Sequence, residues 1–120
     1  MQTESYRDLK VWQKGMDLAV ASYQLTRNFP REEQFSLTSQ IRRAAASIPA
    51  NIAEGYGRGH RPEYTQFLHI AQGSLKELET LLLLSGRVEV SSKDHLTPAL
   101  ELCDEVGRML RTMIRGLNSR

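Results

Sequence analysis

The apolar residues between positions 37 and 56 hold one helical phase straight through a proline. Leu37, Ile41, Ala45, Ile48, Ile52 and Tyr56 are spaced by three or four residues on both sides of Pro49, the period of one helix face. A helix that stopped and restarted at Pro49 would have little reason to preserve that phase. The spacing predicts one long helix, bent where Pro49 removes a donor and crowds the carbonyl of Ala45. Ala44, Ala46, Ser47 and Ala50 are small enough to let a neighbouring helix approach the bend. Asn51 is placed to meet an orphaned carbonyl there, and the glycines of 55–59 end the helix.

Three further stretches share the period. Leu9, Trp12, Met16, Ala19 and Tyr23 mark a main face on a first helix that ends near Asn28, before Phe29-Pro30. Tyr64, Phe67/Leu68, Ala71, Leu75, Leu78, Leu82 and Ser85 mark a third, with Pro62 in its first turn and Gly86 as its stop. Leu96, Leu100, Cys103, Val106/Gly107, Leu110, Ile114 and Leu117 mark a fourth, opened by a capping serine at 91 or 92. Pro98 falls in its early turns and leaves its start open. No alternating strand pattern occurs, Val88-Glu-Val being too short. Helices of about 20–26 residues, roughly 30–39 Å long, with short connections pack antiparallel. The expectation is an all-α, antiparallel up-down-up-down four-helix bundle, a single domain over residues 1–120.

Composition sets limits on location and chemistry. The one cysteine cannot form an internal disulfide, the N-terminus has no apolar leader, and the longest apolar run, 81–84, is far short of a membrane span. The cytoplasm, with no membrane partner, is the expected location. A di-iron bundle needs Glu-x-x-His, but His60, His69 and His95 follow Gly57, Gln66 and Ser92 by three residues. Cys103 lies on the apolar stripe of the fourth helix with no nearby histidine, as a small core residue would. No nucleophile–base–acid set can be assembled either. Neither catalytic residues nor metal ligands nor cofactors are expected, so the chain reads as a non-enzyme.

The stretch LTSQIRRAAASIPANIAEGYGRG is flanked by LKVWQKGMDLAVASYQLTRNFP and EYTQFLHIAQGSLKELETLL. Together they are similar to the 23S rRNA intervening-sequence proteins, small bacterial four-helix bundles often encoded in segments that interrupt 23S rRNA genes. The resemblance runs from Leu9 to Leu117, and the order SIPANIAEGYGR is more specific than a helix pattern. Matched positions include Trp12, Pro30, Gln40, Arg42, Arg43, Ser47, Asn51, Glu54, Gly55, Arg58, Ala71 and Ser74, with Pro49, Asn51, Glu54 and Gly55 as the structural motif. The resemblance implies a ring-like homopentamer. It also implies an architecture similar to the accessory protein of diversity-generating retroelements, which binds nucleic acid and a reverse transcriptase. It carries no established activity, because the family name records gene location.

The formal net charge is only +2, but it is segregated. Residues 62–105 carry −5 and residues 106–120 carry +4, while 1–31 and 32–61 contribute +2 and +1. Arg108, Arg111 and Arg115 form one stripe; a helix dipole favours late arginines and Asp104 can pair with Arg108, which explains one arginine better than three. Arg7, Lys10 and Lys14 form a similar stripe on the first helix. Arg42 and Arg43 cannot both face the core. GYGRGHRPE, with Arg58 and Arg61, resembles a phosphate cradle before a helix start. It follows a helix, lacks a Walker pattern, has Glu63 competing for the same helix end, and reads more readily as a helix connection in which Arg58 pairs with Glu54.

Second apolar stripes, Leu102, Val106, Met109 and Met113 on the fourth helix and Val11, Leu18 and Leu25 on the first, exceed what one bundle core covers. Such an excess marks interfaces and predicts a homo-oligomer. The functional expectation is an oligomeric, non-enzymatic bundle binding RNA or DNA electrostatically, the candidate residues being Arg42, Arg43, Arg58, Arg61, Arg108, Arg111 and Arg115. With no aromatic platform beside the arginines, sequence preference should be weak. The alternative is a structural or protein-interaction scaffold, an adaptor for another protein that binds no nucleic acid.

Overall fold

The computed structural model describes residues 4–119; Arg120, part of the basic C-terminal segment, lies outside them. Among the described residues there are four α-helices and no strand: α1 (Lys10–Thr26), α2 (Leu37–Gly57), α3 (Arg61–Arg87) and α4 (Lys93–Asn118). Single 3-10 turns, Tyr6–Asp8 and Arg31–Glu33, precede α1 and α2.

Cross-helix contacts fix the direction of every pair. Arg42 reaches Thr26 while Gly15 meets Pro49, so α1 and α2 run oppositely. Ser47 meets Ser74 while Gly55 meets Phe67, reversing α3 against α2. Gly86 faces Leu96 and Gly107 faces Leu75, reversing α4 against α3. Leu9 and Val11 share a groove with Met109 and Met113, while Lys14 pairs with Glu105, so α4 also opposes α1. Among the described residues each helix touches two others, α1 closing the ring against α4, and none touches its diagonal. The result is an up-down-up-down four-helix bundle, 46 Å long and 21–23 Å across.

α2 is continuous through Pro49, which is buried. Asn51 does not reach the Ala45 carbonyl left without a donor. Its Nδ2 donates instead to the carbonyl and hydroxyl of Ser47, at 2.8 and 2.9 Å. α4 likewise passes through Pro98, beginning at Lys93 with Ser92 as its N-cap residue. The stop expected at Gly86 falls later: Glu89 takes a positive φ of 64°. Gly86 serves a close approach, since a Cβ there would lie 2.7 Å from Leu96 Cδ2.

The core is one cluster led by Leu18, Ile41, Ile48, Ile52, Leu68, Leu75, Leu78, Leu82, Val106 and Leu110. On α1 the fully buried stripe is the one expected to lie away from the main face, while Leu9, Trp12 and Ala19 of the expected face are half-buried against the core. Val11, Gly15, Leu18, Ser22 and Leu25 are buried, while Met16 and Tyr23 are 40% and 41% exposed. The buried stripe is the less apolar one because it makes room for its neighbour. Gly15 admits Ile48, Pro49 and Ile52 of α2, and the Ser22 hydroxyl satisfies itself on the Leu18 carbonyl at 2.9 Å.

Candidate nucleic-acid interface

The antiparallel topology separates the candidate arginines. Arg58, Arg61, Arg111 and Arg115 gather toward the end of the bundle where α2 and α4 finish and α3 begins. Arg42 and Arg43 lie toward the opposite end. Their surroundings differ more than their positions do.

Arg42 is tied into the fold. Its Nε donates to Thr26 Oγ1 at 2.8 Å, Nη2 reaches the Tyr23 carbonyl at 3.5 Å, and the guanidinium lies 4.6 Å from the Tyr23 ring centroid. A cation at the last turn of α1 complements the negative end of that helix dipole. Arg43 is exposed and donates only to Ser39 Oγ, at 3.2 Å.

The glycine-rich connection compensates its own charge. Arg58 bonds Glu54 at 3.0 Å, lies 3.5 Å from Glu63, and covers the Phe67 ring at 5.1 Å. His60 lies 3.5 Å from the same Glu63. Arg61, exposed at the first position of α3, also interacts within the chain. Only Gly59 here needs glycine for its backbone, at φ 66°. Gly55 needs it for space: an added Cβ would stand 2.7 Å from Phe67 Cβ and 3.3 Å from the Tyr64 carbonyl oxygen. That close approach seats Tyr56 edge-on against Tyr64, whose hydroxyl pKa is raised by burial and by Tyr56.

On α4, Arg108 pairs with Asp104 at 2.9 Å, both side chains 66% exposed. Arg111 and Arg115 pair with no carboxylate among the described residues. They line an open cleft of about 460 Å³ between α3 and the end of α4, with Gln72, Ile114, Asn118 and Ser119. The flanking Gln72 and Asn118, which the sequence alone does not single out, add amide donors suited to an anion's oxygens, while the Ser119 hydroxyl donates to the Gly116 carbonyl at 3.2 Å. Gln72 was reachable only through topology, because it lies on another helix, whereas Asn118 and Ser119 lie one turn beyond Arg115.

Two apolar features remain at the surface. Met16, Ala19 and Trp12 of α1 face Ala46, Pro49 and Ala50 of α2 across a shallow depression. Leu9, Val11, Met109 and Met113 line a second groove between α1 and α4, edged by Lys10 and Arg108. Cys103 is buried, and burial pushes its thiol up to about 12, so it stays protonated and unreactive. No group of three His, Cys, Asp or Glu side chains suited to a metal occurs among the described residues. No helix among them is long and apolar enough to cross a membrane.

This geometry defines a class: a small antiparallel four-helix bundle held by a proline-containing, small-residue helix. The family model for the 23S rRNA-intervening sequence protein matches residues 7–112, and the chain belongs to that family. Among solved structures it is similar to a protein of unknown function from the S23 ribosomal protein family of Bacteroides thetaiotaomicron VPI-5482. The two share 27% sequence identity and a TM-score of 0.77, over 87% of this chain and 97% of that one. No curated protein matches the chain.

Proposed function

We propose that this chain is a non-enzymatic, self-assembling bundle that binds RNA or DNA in the cytoplasm through phosphate contacts made chiefly by α4. The cleft at Arg111 and Arg115 carries the proposal. Two cations without carboxylate partners sit beside two amide side chains, Gln72 and Asn118. Guanidinium groups suit phosphate oxygens, and unpaired ones lose no ion pair when they bind. The exposed apolar side chains, Met16, Val20, Ile70, Leu83 and Leu84 among them, support assembly into a homo-oligomer. One subunit's +2 holds a polyanion weakly, whereas the pentamer that family resemblance implies would carry about +10 and repeat each cleft around its axis.

The scaffold alternative draws its support from Arg42 and Arg58, both engaged by groups of the fold. Fluorescence anisotropy with labelled single- and double-stranded RNA and DNA across a salt series separates the two. Phosphate binding gives an affinity that falls linearly on a log–log plot against salt. Correctly assembled protein that binds none of these probes at low salt would leave the scaffold. Light scattering at micromolar concentration tests assembly, with a monomer of 13.7 kDa as the result that overturns it.

A further inference from the structure

The connection between α1 and α2 presents an aromatic ring that the fold does not use. Phe35 is 90% exposed, while Phe29 in the same connection is buried and anchors it. An isolated exposed apolar side chain needs no explanation, but the surroundings of Phe35 are distinctive. The preceding residue, Gln34, lines an open cleft of about 350 Å³ with Arg27, Arg31, Thr38 and Arg42. Arg27 and Arg31 pair with no carboxylate among the described residues. The nearby Glu33 carboxylate instead accepts the Ser36 hydroxyl at 2.7 Å. Arg42, already held by Thr26 and stacked on Tyr23, forms the floor of the cleft rather than a free hand. Phe35 does not line that cleft itself, but it follows Gln34 directly, so one short connection carries both parts of a single-strand site: cations that follow the backbone and an unpacked ring on which a base stacks.

We infer that this connection is a contact for single-stranded nucleic acid, in which a base stacks on Phe35 while Arg27 and Arg31 neutralise neighbouring phosphates. The inference rests on the nucleic-acid binding proposed above and adds a strand preference to it. In a duplex each base face is already stacked, so Phe35 has nothing to receive and only the cations act. It also revises the expectation that no aromatic platform stands near the arginines. In the sequence Phe35 lies only four residues after Arg31, but neither its exposure nor the lack of ion pairs at Arg27 and Arg31 is legible there.

The test compares wild-type and variant proteins on a short labelled oligoadenylate and on a duplex RNA of equal length. Phe35→Ala should weaken single-strand binding by at least about fivefold, the lower bound of base–aromatic stacking, and leave duplex binding and the salt slope unchanged. Phe35→Tyr should retain single-strand affinity, and Phe35→Leu should not. The double variant Arg27→Gln, Arg31→Gln should instead lower the single-strand salt slope by up to about 1.4, from about 0.7 per phosphate. Wild-type single-strand affinity in Phe35→Ala would overturn the inference and leave the α4 proposal intact. A fall in assembled mass by light scattering would also overturn it, making Phe35 a contact between copies. Failure of wild-type protein to bind either probe would remove nucleic-acid binding altogether.

Discussion

α2 and α4 are both long amphipathic helices carrying arginines, yet they hold their unusual residues in different ways. On α2, Arg42 closes the end of α1, Asn51 folds back on Ser47, Ser47 meets Ser74 across the interface at 2.8 Å, and Gly55 lets α3 approach. On α4, Arg111 and Arg115 stand over an open cleft, and Gly116 has nothing within 4 Å of where a Cβ would be. The motif shared with the family therefore lies largely on the helix whose side chains build the bundle. The side chains left available to a partner lie at the edge of that motif or beyond it. Residues that build the bundle and residues proposed to bind need not coincide, and their surroundings differ: the first are engaged by the fold, the second stand open.

The sharpest contrast is steric. Ala at Gly55 must displace Phe67 Cβ from 2.7 Å and crowd the Tyr64 backbone, and overpacking of this kind costs about 1–3 kcal/mol. The better helix propensity of Ala offsets only part of that. Gly55→Ala should lower stability by about 2 kcal/mol, read as a reduced urea midpoint at unchanged m and fixed protein concentration. A midpoint equal to wild type would show that α2 and α3 are not in close contact there.

Arg42→Ala should cost about 1–2 kcal/mol in the same assay. It removes a hydrogen bond to buried Thr26, a favourable charge at a helix C-terminus and a cation–π contact. Arg42→Lys should recover only part of the loss, because an ammonium cannot reach Thr26 while lying flat on Tyr23. If both variants matched wild type, Arg42 would be as available to a partner as Arg115, and the contrast between the helices would fail.

How legible each element was in the sequence follows from similar local detail. α2 was readable through Pro49 because Ile41, Ala45, Ile48 and Ile52 are all buried and no competing apolar stripe exists on that helix. α1 offered two stripes, and the more apolar and aromatic of them is only half-buried, with Met16 and Tyr23 exposed. The inward one runs Val11, Gly15, Leu18, Ser22, Leu25, in steps of four and three. Its small and hydroxyl members lower its hydrophobicity while improving its packing. Hydrophobicity alone favoured the stripe that is only half-buried; Gly15, which makes room for Ile48 and Ile52, was the available clue. The pairs Asp104–Arg108 and Glu54–Arg58 were legible because they lie one turn apart. Thr26 as the partner of Arg42 was not, since it belongs to another helix.

Gly116 turns the glycine contrast around. Its surroundings are open, so a methyl group creates no clash and reduces the freedom of the unfolded chain. Gly116→Ala should raise the urea midpoint by the equivalent of about 0.5–1 kcal/mol. A destabilised variant would place a neighbour against the end of α4 that this chain alone does not supply, such as another copy in the assembly.

The smallest expected effect on stability accompanies the main expected effect on binding. Arg111 and Arg115 are exposed and form no ion pair among the described residues, so replacing both with Ala should leave stability within about 0.5 kcal/mol. If each neutralises one phosphate, the double variant should lower the log–log salt slope for duplex binding by about 1.8, at roughly 0.9 per contact. Arg108→Ala should change it less, because Asp104 already holds that guanidinium at 2.9 Å. Arg42→Ala serves as the inverse control: once unfolding is allowed for, its slope should equal that of wild type. A double variant with unaltered slope and stability would show that the cleft contacts neither phosphate nor fold, and binding would then have to come from the opposite end of the bundle.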